Sequence, residues 1–131
     1  MNKKLHVGLW VVQVLLALVF LMSGGMKLTA PVADLIAQGM TWAEGREWLP
    51  RFIGASEVLG ALGLIIPAAT RIMPKLTGVA AAALTLVMVL AFGTHVVMND
   101  MGHAPPSLVL GSLAAFVAWG RLKAAPIPAR S

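Results

Sequence analysis

Three ionisable residues sit in stretches of this chain that are otherwise apolar: Lys27, Glu57 and His95. A charge inside hydrocarbon costs about 2.5–3.5 kcal/mol on insertion scales, so such residues normally face protein and find a partner. On a helix the neighbours of Glu57 at i−3, i+3 and i+4 are Gly54, Gly60 and Ala61,. All three are small, so a second helix can approach closely on that face. Lys27 has Gly24 and Ser23 at i−3 and i−4 and can lie against a partner in the same way. An acid beside a lysine suggests an ion pair, and an added imidazole suggests a polar pocket for a ligand or a proton. Two plainer readings stay open beside the pocket. Lys27 and Glu57 can form a purely structural pair, or Lys27 can snorkel to the interface and touch nothing.

The elements that would position these residues are membrane spans. The 131 residues are 59% hydrophobic and 11% charged, against about 25% charged for soluble domains,. The net charge of +5 does not imply nucleic acid, because the basic residues lie between apolar runs, where bilayer orientation accounts for them,. With no cysteine, disulfides, thiol redox chemistry and cysteine metal sites are excluded,. His95, Asp100 and His103 match no common metal-ligand spacing, so no metal and no catalytic residue is expected. No phosphate loop or nucleophile motif is present either.

Residues 7–26 form an uncharged run of 20, long enough to cross a bilayer and longer than the core of a signal peptide,. The first span is expected over about 7–28 and the second over 51–67, closed by Pro67. The third covers 76–98 and the fourth 107–120, with Pro105-Pro106 available as its first turn. Between the first two, Pro31, the apolar trio Val32, Leu35 and Ile36, and Gly39 predict a short surface helix over 31–39,. Trp42 and Trp48 follow, suited to the membrane interface and candidates, with Ser23, to line a pocket,. The tail 124–131 reads as flexible. The fold class is all-α, an integral membrane four-helix up-down bundle in a single domain.

Seven Lys or Arg and no acid fall on one side (Lys3, Lys4, Arg71, Lys75, Arg121, Lys123, Arg130). Only Lys27, Arg46 and Arg51 fall on the other. The positive-inside rule then puts both termini in the cytoplasm. Glu57 is about 9 Å along its helix from Arg51 and His95 about 7.5 Å from Asp100 at 1.5 Å per residue, so Lys27, Glu57 and His95 are expected at one depth.

The pattern Phe20-x3-Gly24-Gly25-x-Lys27-Leu28, then Arg51-Phe-Ile-Gly-x2-Glu57-x-Leu-Gly-x-Leu-Gly-Leu-x-x-Pro67, then a span ending near His95, resembles the DoxX-like family of small bacterial membrane proteins. The resemblance covers nearly the whole chain and is most specific in the first two spans. It implies a four-helix membrane bundle in the bacterial inner membrane, with Lys27, Glu57 and His95 at the family's Lys, Glu and His positions. Relatives are linked to quinone-coupled sulfur oxidation, to redox-defence complexes, and more distantly to chaperones or cargo receptors. No haem ligand pair or flavin motif is visible, so no bound cofactor and no autonomous enzyme is expected. The leading expectation is a multi-pass protein whose periplasm-facing pocket binds a small amphipathic molecule or supports a partner membrane protein or second copy. The alternative is a subunit of a quinone-linked oxidoreductase with its redox centre on another chain.

Overall fold

A computed structural model describes residues 2–130; Met1 and Ser131, the last residue of the tail, lie outside it. Helix α1 spans Lys3–Thr29, α2 Val32–Ala37, α3 Trp48–Thr70, α4 Lys75–Val97 and α5 Ala104–Trp119. A single 3-10 turn, Thr41–Ala43, follows α2, and a π turn, Gly120–Ala124, extends α5. Among the described residues four helices are long and apolar enough to cross a membrane. The fold is an all-α four-helix bundle. α1 packs on α3, α3 on α4 and α4 on α5, while α1 and α5 close the ring over a shorter contact.

The chain exposes its large apolar side chains along every long helix, as at Val11, Leu18, Leu59, Val89 and Leu108. Lipid is as apolar as leucine, so burial from water does not drive these helices together. Close packing of small residues and buried polar contacts do that instead. The inner layers contain Leu9, Leu16, Phe20, Leu64, Leu84 and Val117.

Glycines set the helix spacing. A Cβ added to Gly24 would lie 2.7 Å from the Gly54 carbonyl oxygen, and one added to Gly54 would lie 2.6 Å from the Gly24 carbonyl oxygen. The backbones of α1 and α3 therefore touch at this pair. A Cβ on Gly60 would meet Leu84 at 2.6 Å, and one on Gly63 would meet Ala80 at 2.6 Å. These two contacts fix the antiparallel register of α3 and α4.

Most spans start earlier than the apolar runs do. The side chain of Asn2 caps α1 by accepting from the Lys4 and Leu5 amides at 2.9 and 3.3 Å, so the helix begins at Lys3,. The second span does not end at Pro67. Helix α3 continues to Thr70, because the carbonyl of Gly63, which proline deprives of its i+4 donor, accepts instead from the Thr77 hydroxyl of α4 at 2.9 Å,. Pro105 and Pro106 do form the first turn of α5,. Within the tail, expected to be flexible, Ala125 is fully buried and the Arg130 amide donates to the Arg71 carbonyl at 2.8 Å.

Candidate functional site

Antiparallel packing turns two short sequence motifs into one site. Gly24-x-x-Lys27 on α1 faces Gly54-x-x-Glu57 on α3. The Cβ position of Gly24 lies 3.0 Å from the Glu57 Cβ, and that of Gly54 lies 2.9 Å from the Lys27 Cβ. Each glycine thus makes room for the other helix's charged residue. The Lys27 ammonium donates to the Glu57 carboxylate at 2.5 Å and to the Ser23 hydroxyl at 2.7 Å. Glu57 is 1% exposed. Arg51 ties down the end of α1 next to the pair, donating to the carbonyls of Lys27 at 2.8 Å and Ala30 at 2.6 Å. A cation at those terminal carbonyls satisfies acceptors that the helix leaves open.

The pair forms part of the wall of a cavity of about 440 Å³. Ser23, Lys27, Glu57, His95 and Trp42 all line it. Trp48 does not, and it is 65% exposed. Residues 49, 53, 56 and 57 carry the inward stripe of α3, and Trp48, one residue before it, is turned to its outer edge,. Most of the lining is apolar, including Leu49, Ile53, Met88 and Leu110.

His95 lines the same cavity but not at the same depth. The register fixed by Gly60 and Leu84 places Glu57 opposite Val87. His95 is eight residues further along α4, about 12 Å higher at 1.5 Å per residue. Lys27 and Glu57 therefore make a floor, and His95 belongs to a rim. Counting inward from each helix end missed this because α3 starts before Arg51 and α4 ends before Asp100.

The rim holds two residues that were not expected in the pocket. Asp100 accepts from His103 Nδ1 at 2.8 and 2.9 Å, and His95 Nδ1 lies 3.2 Å from the same carboxylate without a well-directed hydrogen bond. The His103 hydrogen bond, with the charges of both imidazoles, holds Asp100 below the usual carboxylate range,. Among the described residues no group of His, Asp or Glu is arranged to hold a metal ion. The spacing His95-x4-Asp100-x2-His103 was the available signal, and the helix end at Val97 folds it into one cluster.

The segment after α2 roofs the cavity. Leu35 is fully buried, docking the short helix, but Gly39, Met40 and Trp42 supply the lining. Gly39 has φ +105°, and its Cβ position lies 3.0 Å from the His103 ring. The α1–α3 connection therefore rests on the α4–α5 turn.

A second polar cluster lies at the opposite end. Arg121, 2% exposed, donates to Gln13 Oε1 at 2.7 Å, to His6 Nδ1 at 3.0 Å and to the Ala125 carbonyl at 3.0 Å. Gln13, fully buried, donates in turn to the Leu64 carbonyl at 2.7 Å. Among the described residues no carboxylate pairs with Arg121. The sequence places Arg121 among the flanking charges, and the only hint of this cluster is a lone amide, Gln13, in an apolar run.

The architecture defines a class: a small four-span membrane protein with a polar-floored pocket between its helices at one end. Within that class, the chain belongs to the DoxX-like family, whose model matches residues 11–117. That match takes in Lys27, Glu57, His95, Asp100 and His103. Comparison with curated proteins and with solved structures gives no significant match.

Proposed function

We propose that this DoxX-like protein is a non-enzymatic, multi-pass protein of the bacterial inner membrane that binds a small amphipathic molecule in the cavity above Lys27 and Glu57. The observation that carries this reading is a cavity of about 440 Å³, mostly apolar, with a buried ion pair at its floor. Ligand sites commonly have this volume and this mix of apolar wall and a few convergent polar groups. Lys27 uses two of its three N–H donors on Ser23 and Glu57. The third is the natural anchor for a ligand oxygen. Both termini lie in the cytoplasm and the pocket opens toward the periplasm, on the asymmetry of Lys and Arg between the two ends,.

Gentle-detergent purification followed by mass spectrometry of bound lipids, quinones and proteins tests the binding reading. An amphipathic molecule retained by the wild type and lost from a Lys27→Leu/Glu57→Leu double variant supports it. Recovery of a redox enzyme together with a quinone favours the alternative, a subunit of a quinone-linked oxidoreductase. Recovery of a membrane protein alone, with no small molecule, favours a supporting role. Orientation is tested separately, since the chain has no cysteine of its own. Single cysteines at Gln38 and Met101 should react with an impermeant thiol reagent in intact cells and one at Thr70 should not. Labelling at Thr70 alone reverses the orientation.

A further inference from the structure

The seam between α3 and α4 is closed along one half and open along the other. In the closed half Gly60 meets Leu84, Gly63 meets Ala80, and the Thr77 hydroxyl bonds the Gly63 carbonyl. The same register carried toward the pocket sets Phe52 opposite Ala91 and Phe92, with Leu90 the next residue along α4, and Leu49 opposite Thr94. There the cavity lies between the helices. Phe52 and Leu90 line it, yet they are 64% and 62% exposed, so the cavity wall is also lipid-facing surface at this point.

The opening lies below the ends of α3 and α4, at a depth that the hydrocarbon layer reaches when these 23-residue helices span it,. Phe52 is four residues inside the start of α3, about 6 Å, and Leu90 seven residues inside the end of α4, about 10 Å. Its polar side chains are satisfied within their own helices, as lipid contact requires. Ser56 donates to the Phe52 carbonyl at 2.9 Å and Thr94 to the Leu90 carbonyl at 2.8 Å. From above, the Gly39–His103 contact and Trp42 cover the cavity.

We infer that the gap framed by Phe52 and Leu90 is a lateral portal, and that its occupant is an uncharged amphiphile from the bilayer with a compact carbonyl- or hydroxyl-bearing head and one apolar chain. The inference rests on the pocket reading above and adds the route and the ligand class. Lys27 and Glu57 already neutralise each other at the floor. A charged head would add an unpaired buried charge, and it would also prefer the headgroup plane to the depth of the portal. An uncharged oxygen satisfies the remaining Lys27 donor without either cost. The chain of such a molecule leaves between Phe52 and Leu90 into lipid.

The test uses the full chain in nanodiscs with Trp42 as its only tryptophan (Trp10, Trp48 and Trp119→Phe), carrying Phe52→Cys and Leu90→Cys. The ligand is a brominated long-chain methyl ketone, and Trp42 quenching is followed before and after the two thiols are bridged with a bifunctional reagent. Circular dichroism confirms that the helices persist, and each sample is its own control. The expected result is fast quenching that excess unbrominated ketone relieves, with loss of the fast phase after bridging. Quenching of that kind unaffected by bridging overturns the portal and leaves the pocket reading intact. Equal competition by the same chain ending in trimethylammonium overturns the uncharged class. No relievable quenching in either state overturns the pocket reading itself.

Discussion

The two ends of the bundle each bury a cation, and they do so by different means. At the pocket end Lys27 is held by a carboxylate and a hydroxyl, beside a cavity of about 440 Å³. At the other end Arg121, 2% exposed, is held by the neutral acceptors Gln13, His6 and Ala125, with its guanidinium carbon 5.9 Å from the centre of the Trp10 ring. Guanidinium has five donors in a fixed fork, so neutral acceptors can saturate it and lock three segments together. Ammonium is a point charge that needs one strong counter-charge and leaves a donor to spare. The Arg121 end is therefore a clamp, and the Lys27 end is a clamp with one open position.

Removing the counter-charge should break this contrast most severely. Glu57→Ala leaves the Lys27 ammonium buried without its acid, at a cost of about 3–5 kcal/mol. Glu57→Gln keeps the shape and one acceptor and should cost less. Replacing Lys27 and Glu57 together by leucine should recover most of the stability while losing the ligand. Detergent melting and ligand retention, measured on single and double variants, separate these roles. A double variant that regains both makes the pair purely structural.

At the closed end Gln13→Leu should cost about 1.5–3 kcal/mol, the range for a hydrogen bond to a charged group. It removes the acceptor for Arg121 Nε and the donor to the Leu64 carbonyl together. Unlike the Glu57 variants, it should leave ligand retention unchanged. Melting temperature and retention measured side by side check this, and loss of ligand would mean that the two ends are coupled.

Glycine substitutions refine the picture of the floor. Gly24→Ala drives a methyl against the Gly54 carbonyl and should cost about 1–3 kcal/mol for overpacking, while separating Lys27 from Glu57,. Gly25→Ala next to it meets nothing within 4 Å and should be neutral or slightly stabilising in a helix interior,. Equal melting temperatures for the two would refute the close α1–α3 contact.

What the sequence made legible follows from these contacts. The spans, and small residues flanking Lys27 and Glu57, are local patterns that one helix displays by itself. The depth of His95 is not local, because it depends on which α3 residue faces which α4 residue, and Gly60 and Leu84 decide that. Pro67 marks a helix end in isolation, and only the hydroxyl of Thr77, from another helix, lets α3 run on. Arg121 reads as a flanking charge until the π turn and the buried Ala125 draw it inward. The Asp100–His103 contact sits in a turn, where apolar periodicity carries no information.

That turn gives the smallest expected effect. Asp100 is held below the usual carboxylate range of about 3.8 by the His103 hydrogen bond, so its folded form binds a proton less readily than its unfolded form. The stabilisation is therefore fully present above the unfolded value and is lost as pH falls through the lowered one. Near neutral pH the contact is intact, and acidification below about 3.8 should release His103 from Asp100 and loosen the roof at Gly39. Asp100→Asn should remove this acid dependence while leaving the floor pair in place. Hydrogen exchange of residues 35–43 as a function of pH provides the measurement. Faster exchange on acidification in the wild type, absent in Asp100→Asn, ties the roof to the rim. An identical profile in both proteins means that the Gly39–His103 contact stands without the carboxylate.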